Sequence, residues 1–183
     1  MSSSAPLLCD LSASLAALAD DLCRRTPQLA HIDPQRILFA ISRSRSAGTH
    51  GTYARIAPLR FAAGAAEYTR RRGRFAETFR MPALVHAGRP ILYLIHILVP
   101  RFLRLPEEQK LATVIHELYH VSERCDGDIR RFAGRNFAHG SSRRSYDRQV
   151  ETIRQAYLAT GPAADRLAFL QLTEDDWQQG RIR

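Results

Sequence analysis

The chain has 183 residues, of which 45% are hydrophobic, and it carries a formal net charge of +9. A chain of this size can bury one good core but is too short for two comfortable domains, so we expect a flexible tail over residues 1–9 and one domain over residues 10–183. The sequence has no run of about 18 apolar residues that would predict a membrane-spanning helix. The positive charge is compatible with an anionic binding partner.

The cysteines indicate a reducing compartment. Cys9, Cys23 and Cys125 are odd in number and do not form paired C-x-x-C motifs, which is typical of an intracellular protein without disulfides. Residues Met1 to Pro6 are small and polar and lack the basic region of a secretory signal. We therefore expect a cytoplasmic protein.

The first third of the chain predicts one helix and two strands. Apolar residues recur at helical spacing from Leu11 to Arg25, and Asp10 or Ser12 can cap this amphipathic helix. The β-branched and aromatic residues of Arg36 to Ser42 and of Tyr53 to Phe61 predict strands. Glycines between the two segments mark a turn or loop.

The strongest strand signal comes later. Arg70 to Gly73 is polar and predicts an exposed turn, whereas Ile91 to Val99 is an apolar, β-rich run bracketed by Pro90 and Pro100. Prolines at both ends indicate an edge strand that is terminated on either side. Such a strand could form a wall of the cleft and pair with an extended substrate. His96 within this strand is expected to be a hydrogen-bonded sheet-face histidine.

Residues His116-Glu-Leu-Tyr-His120 form the most specific motif of the chain, H-E-x-x-H. The mostly buried run Leu111 to Ser122 predicts a helix, and Pro106 with two following glutamates suits its first turn. On a helix the two histidines lie one turn apart on one face, close enough to bind a single Zn²⁺, and Glu117 projects beside them. This arrangement resembles the active-site helix of zincin metallopeptidases.

The motif residues and the apolar residues are predicted to lie on opposite faces of this helix. At about 100° per residue, His120 lies about 40° and Glu117 about 100° from His116, while the apolar residues cluster on the opposite side. One face can therefore pack on the core while the other lines a cleft. The competing interpretation is a helix whose histidines face solvent or make ordinary hydrogen bonds.

A third zinc ligand has to come from the sequence that follows, with water at the fourth position. His139, the only histidine after His120, can return from the polar loop and is favoured. Asp126 has the metzincin spacing, but Glu123 stands where that pattern has glycine. Glu151 would be a carboxylate ligand on the following helix. Cys125 has no neighbouring cysteine to form a thiolate site.

The remaining elements are a long loop, a helix and a tail. Asp126 to Ser145 is rich in arginine and glycine and predicts a loop. A second helix is expected from Tyr146 to Thr160, ended by glycine and proline. Tyr146 could stabilise an oxyanion, although a packing role is favoured. Ala163 to Leu172 and then Trp177 predict a short helix that covers the core.

The stretch from Val114 to Val150 resembles a known family. Its H-E-x-x-H motif, the Asp126-Gly127 step, the arginine-rich segment and His139-Gly140 resemble the phage-type metallopeptidase domain and, more loosely, the SprT-like zincins. In both groups a histidine downstream of the motif is the expected third ligand, which the resemblance assigns to His139. We therefore expect an α+β, zincin-like fold, with a short mixed sheet packed on the active-site helix and two or three further helices.

These residues favour metal-assisted peptide hydrolysis. Zn²⁺ held by His116, His120 and His139 would lower the pKa of its water towards about 7, and Glu117 would accept the proton as this water attacks a scissile carbonyl. The alternatives are a nucleic-acid-associated zinc protein with restricted or no proteolysis, and an interaction domain with a relic motif.

The arginines could supply a nucleic-acid surface. They form three clusters: Arg70, Arg71, Arg72, Arg74 and Arg80; Arg130, Arg131 and Arg135; Arg143, Arg144 and Arg148. Because Lys110 is the only lysine, the bias towards arginine also fits a generally basic, solvated surface. The identity of the substrate and the oligomeric state do not follow from the sequence.

Overall fold

The structure is a computed structural model that describes residues 8–44, 51–132 and 142–183. Its helices are α1 (Leu11–Arg25), α2 (Glu107–Tyr119), α3 (Arg143–Ala159), α4 (Ala164–Leu167) and α5 (Glu174–Gln178). Its strands are β1 (Ile37–Arg43), β2 (Ala54–Pro58), β3 (Glu67–Arg72), β4 (Phe75–Arg80), β5 (Leu84–His86), β6 (Arg89–Ile91) and β7 (Tyr93–Val99). The predicted α+β architecture is confirmed. The expected loop around Gly48 lies outside the described residues.

A three-stranded mixed sheet is the centre of the fold. β7 lies in the middle, parallel to β1 and antiparallel to β2. Burial alternates strictly along β7, so that one face belongs to the core. The prediction that this strand forms an edge was wrong, because both of its sides are occupied by neighbours. The edge strand beside α2 is β2.

The run Ile91 to Val99 is also divided into two strands. Ile91 pairs with Leu84 in the small β5–β6 hairpin, and Leu92 donates its N–H to the carbonyl of Arg36 at 2.9 Å. Only from Tyr93 onward does the chain pair with β1 and β2. His96, half-buried on β7, has Nδ1 3.0 Å from the hydroxyl of Ser42, as expected for a sheet-face histidine.

Helix α1 has the bounds that its pattern predicts. Asp10 is its N-cap and accepts a hydrogen bond from the N–H of Ala13 at 2.9 Å, while Arg24 and Arg25 lie in the last turn. Both features stabilise a helix, through its unpaired N–H groups and through its dipole. The helix buries one leucine-rich face against β1: Leu11, Leu15, Leu18 and Leu22.

The predicted turn at Arg70 to Gly73 was wrong, because most of it is strand. β3 and β4 form an antiparallel hairpin in which Arg70 pairs with Glu77 and Arg72 with Phe75. The turn itself is at Gly73 and Arg74. Gly73 has a φ of 58°, which glycine adopts without the steric penalty of a side chain. Every residue of both strands is exposed.

The C-terminal tail covers the core. The expected helix over Ala163 to Leu172 is divided into α4 and a 3₁₀ turn, Ala168–Gln171, which buries Phe169 and Leu170. Lys110 of α2 is 2% exposed and donates to the carbonyls of Leu170 and Leu172 at 2.8 and 2.6 Å. The only lysine therefore ties α2 to the tail.

The two ends of the described chain are also joined. Cys9 and Ile182 form a parallel β-bridge, with hydrogen bonds from Cys9 N to the carbonyl of Arg181 and from Arg183 N to that of Cys9. The division into a tail and one domain stays a prediction. No helix in the described parts of the chain has the length and apolar character to cross a membrane.

We predict that Tyr157→Phe destabilises the protein by about 1.5 to 3 kcal/mol, because it removes a hydrogen bond to a buried carboxylate. The Tyr157 hydroxyl donates to Asp21 at 2.8 Å, and Arg25 Nε donates to the other carboxylate oxygen. Burial alone raises the pKa of Asp21, but these two hydrogen bonds hold it below its ordinary value. Urea unfolding at neutral pH measures the loss.

Tyr68→Phe is the matched control, because Tyr68 is 50% exposed. A lowered carboxyl pKa stabilises the fold above the pKa of the unfolded chain, and this stability is lost as the pH falls through the lowered value. The difference between Tyr157→Phe and the natural protein should therefore shrink in acid. Equal effects of the two substitutions would contradict a structural role of the Tyr157–Asp21 bond.

Candidate metal centre

Helix α2 brings the motif to the centre of the fold. It begins after Pro106, with Glu107 and Glu108 in its first turn, and packs on α3 and β2. It ends at Tyr119, not at Ser122 as the sequence suggests, and His120 is the C-cap residue in a helical conformation. The helix stops there because Val121 pairs with Ile129 in an antiparallel bridge.

Arg130 holds the end of this helix. Its N–H donates to the carbonyl of His120 at 2.6 Å and its Nε to the carbonyl of Tyr119 at 3.1 Å. Its guanidinium also lies 4.4 Å from the centre of the Tyr119 ring. The last carbonyls of a helix lack partners within the helix, so a cation that binds them there stabilises the end and fixes the position of His120.

The two imidazoles converge on one point. Nε2 of His116 lies 3.2 Å from Nε2 of His120. Two nitrogen ligands at about 2.05 Å from a tetrahedral zinc are about 3.3 Å apart, so the pair already has the separation that a shared metal requires. His120 is 7% exposed and His116 is half-buried. The geometry fits the metal that the motif implies.

Glu117 is buried beside this pair. Its side chain is 6% exposed, and burial raises the pKa of its carboxyl to about 7, while a hydrogen bond from the backbone of Ile56 lowers it in part. A carboxyl with this pKa can exchange a proton near neutral pH. Its partner Ile56 belongs to the edge strand β2, so the carboxyl lies between the helix and the sheet.

Tyr146 supports both imidazoles. Its ring centre lies 4.8 Å from that of His116 and 5.0 Å from that of His120, on which it stacks. Its hydroxyl donates to the backbone carbonyl of His116 at 3.1 Å. The hydroxyl therefore satisfies a carbonyl of the site helix, which supports the packing role over the oxyanion role.

Two further aromatic residues complete this support, and sequence analysis assigned neither of them a role. Tyr119 and Phe132 contact the Tyr146 ring at 5.1 and 6.0 Å between centres. Tyr119 stands inside the motif at a position that the motif leaves free, and Phe132 follows the arginine pair without any periodic pattern. The only sequence signal for this cluster is that two aromatic residues occur close to the histidines along the chain.

An open cleft of about 1130 Å³ exposes the motif. β2 forms one wall, α2 lies at the base, and α3 contributes side chains from three successive turns: Arg143, Asp147 and Glu151. β2 is an edge strand, and one of its sides lies along this cleft. The cleft is therefore lined both by β2 and by the three motif residues His116, Glu117 and His120.

The favoured third ligand, His139, lies outside the described residues. Among residues 8–44, 51–132 and 142–183, no three His, Cys, Asp or Glu side chains lie together closely enough to hold a metal ion. Glu151 lines the cleft, but it is bound by Arg154 and Gln155, and the hydrogen bond from Arg154 above all lowers its pKa to about 2.

Asp126 faces a different space. Its carboxylate accepts hydrogen bonds from the Ser122 hydroxyl at 2.6 Å and from the N–H of Asp128 at 3.2 Å, and it lines a separate cavity of about 350 Å³. The left-handed residues of this loop are Cys125 and Gly127, not Glu123, so the chain turns later than in the metzincin pattern. Cys125 is buried and its sulfur accepts from the N–H of Asp33.

The arginine clusters are distributed over separate elements. The first lies on the β3–β4 hairpin and the third on the first two turns of α3, while Arg130 and Arg131 lie beyond the Val121–Ile129 bridge. Arg131 is bound to Asp128 through two hydrogen bonds of 2.9 Å. Arg135 is not among the described residues.

Comparison with known proteins gives one finding. The model of a family described as "Putative phage metallopeptidase" matches residues 11–145. The chain therefore belongs to this family, whose description indicates a peptidase that uses a metal. The phage-type resemblance is confirmed, whereas the looser likeness to SprT-like zincins stays a prediction. No curated protein and no solved structure matches the chain.

The contacts of Tyr146 predict different effects for two substitutions. Tyr146→Phe keeps the ring and loses one hydrogen bond, so it should cost about 1 kcal/mol and leave zinc affinity nearly unchanged. Tyr146→Leu also removes the aromatic surface that supports both imidazoles, so zinc affinity should fall about 10 to 100-fold. Competition with a chromophoric chelator measures both affinities. Equal affinities in the two variants would contradict the support by the ring.

Proposed function

We propose that the protein is a zinc-dependent metallopeptidase in which His116, His120 and His139 bind the metal and Glu117 is the general base. The observation that carries this proposal is the 3.2 Å separation of the two Nε2 atoms, beside a buried carboxyl in an open cleft. Imidazole is a preferred zinc ligand, and three protein ligands with one open position are typical of catalytic zinc.

A bound zinc ion would supply a water of lowered pKa and polarise the scissile carbonyl. Glu117 would accept a proton from the attacking water and return it to the leaving amine. Its burial supports this role, because burial raises the proton affinity of the carboxyl above that of an exposed glutamate. Tyr146 and Arg130 would keep the imidazoles and the helix end in place during the reaction.

The edge strand supports a peptide as the substrate. The N–H of Ile56 binds Glu117, so the outer edge of β2 is directed towards the motif. An extended peptide can add to such an edge through main-chain hydrogen bonds, which would bring its backbone beside Glu117 and the histidines. This role belongs to β2 and not to β7, which is covered on both sides.

The cysteines support a cytoplasmic location. Cys9, Cys23 and Cys125 are free thiols. Burial raises the pKa of Cys23 to about 12, which keeps this thiol protonated and unreactive. Three free thiols, of which Cys23 is unreactive, fit a reducing compartment.

Zinc titration of four variants tests the ligand set. His139→Ala should weaken zinc binding as much as His120→Ala, because each removes one of three ligands. Asp126→Ala and Glu151→Ala should change the affinity by at most about tenfold, because their carboxylates are bound by other groups. The natural protein should bind close to one zinc per chain.

A protein that takes up no zinc would contradict the whole proposal. If Glu151→Ala greatly weakens zinc binding and His139→Ala does not, the third zinc ligand is Glu151 on α3. A large effect of Asp126→Ala alone would show that the loop after Val121 carries the ligand.

Glu117→Gln separates the base from the ligands. The amide keeps the size of the side chain but cannot accept the proton, so the variant should keep its zinc and lose about 10² to 10⁴-fold in peptide hydrolysis. Turnover of a denatured protein substrate by the zinc-loaded enzyme measures this, with the exposed Glu108→Gln on the same helix, outside the cleft, as the control. Equal turnover by Glu117→Gln and the natural protein would remove Glu117 from the mechanism.

A further inference from the structure

The β3–β4 hairpin is the most exposed structured element of the described chain. Its strands, Glu67–Arg72 and Phe75–Arg80, have no buried or half-buried residue. Large apolar side chains are nevertheless exposed on it: Phe75 is 70%, Tyr68 50% and Phe79 37% exposed. Tyr68 contacts the ring of Phe61 at 5.7 Å between centres. A two-stranded hairpin with so little covered surface is still only marginally stable in water, so the exposed rings indicate a binding partner.

The register places these rings and two arginines on one face. Side chains alternate between faces along a strand, and opposite residues share a face. The pairs Tyr68–Phe79, Arg70–Glu77 and Arg72–Phe75 therefore form what we call the aromatic face. The contacts agree, since Tyr68 stacks on Phe79 at 6.4 Å and the Arg70 guanidinium lies 5.5 Å from the Phe79 ring.

The hairpin is also strongly basic. Five arginines and two glutamates give it a charge of +3. Both glutamates are paired with arginine, Glu67 with Arg80 at the base of the hairpin and Glu77 with Arg70 in its middle. Arg71, Arg72 and Arg74, which we call the apex arginines, have no acidic partner within the described parts of the chain. The unbalanced charge therefore lies at the end farthest from the body of the protein.

We propose that the β3–β4 hairpin binds single-stranded nucleic acid, with the apex arginines on backbone phosphates and the aromatic face against unpaired bases. Alternating cations and exposed rings are what a single strand needs, because each nucleotide offers one phosphate and one base face. Arginine adds planar, two-point hydrogen bonding to phosphate. The hairpin takes no part in lining the cleft, so this inference does not depend on the proposed peptidase function.

Charge and shape disfavour the other partners. A second copy of the chain would bring three apex arginines against three more, and like charges at close range repel. A membrane would meet only one ring at the tip, Phe75, which lies between Arg72 and the turn arginine Arg74, because Tyr68 and Phe79 lie near the base of the ribbon. The bases of a duplex are stacked on each other and cannot cover the exposed rings.

Fluorescence anisotropy with a labelled oligothymidine of about 16 nucleotides tests the proposal. The full-length protein should bind it, and affinity should fall about 20-fold between about 50 and 200 mM salt, as expected for three phosphate contacts. Replacing Arg71, Arg72 and Arg74 together by Gln should weaken binding by more than about tenfold and flatten this salt dependence. Phe75→Leu, which keeps an apolar side chain, should weaken it about fivefold or more.

A second triple variant removes the same charge elsewhere. Arg24, Arg36 and Arg183 are well exposed on other elements, and their replacement by Gln should leave affinity within about twofold at equal salt. Circular dichroism and the thermal midpoint would show that both triple variants are folded, which is expected because every substituted side chain is on the surface.

Four results would overturn the proposal. They are no binding by the natural protein at about 50 mM salt, equal weakening in both triple variants, tighter binding of a blunt duplex of the same length, and binding of anionic vesicles without binding of the oligonucleotide. Concentration-dependent dimerisation lost in the apex variant, without oligonucleotide binding, would assign the hairpin to a second copy.

Discussion

The candidate site depends on how the C-terminal end of α2 is held. His120 is the C-cap residue of the helix, at an end where helices commonly fray, yet its imidazole lies 3.2 Å from that of His116. Arg130 binds two of the terminal carbonyls, and the Val121–Ile129 bridge turns the chain back on itself. Tyr146 then fills the space against both rings. Contacts between α2, the following loop and α3 therefore hold the two imidazoles close together.

Local patterns predicted most of the elements that carry this site. The helix Leu11–Arg25, its Asp10 cap and the strands β1 and β2 follow from spacing and side-chain type. The H-E-x-x-H motif predicts which face of α2 lines the cleft. These features depend on neighbours within a few residues. The sequence contains enough information about them because helix and strand periods differ.

The sequence-based predictions were wrong where contacts between residues distant in the chain determine the structure. The helix ends at Tyr119 because Val121 pairs eight residues away with Ile129, and β7 is central because β1 and β2 both pair with it. The hairpin was predicted as a turn because its strands carry no buried face and therefore no apolar alternation. The hydroxyl of Tyr146 finds its acceptor thirty residues earlier in the chain. No local pattern contains such pairings.

The burial of Lys110 has a practical consequence for chemical work on this protein. The sequence has one lysine ε-amino group, and in the folded chain it donates to two backbone carbonyls of the C-terminal tail. Amine-reactive dyes and crosslinkers will therefore spare this side chain while the tail is docked, and modification there will report the moments when residues 170–172 lift from α2. The rate at which Lys110 is labelled therefore measures how often the C-terminal tail opens, and mass spectrometry can follow it without an engineered probe.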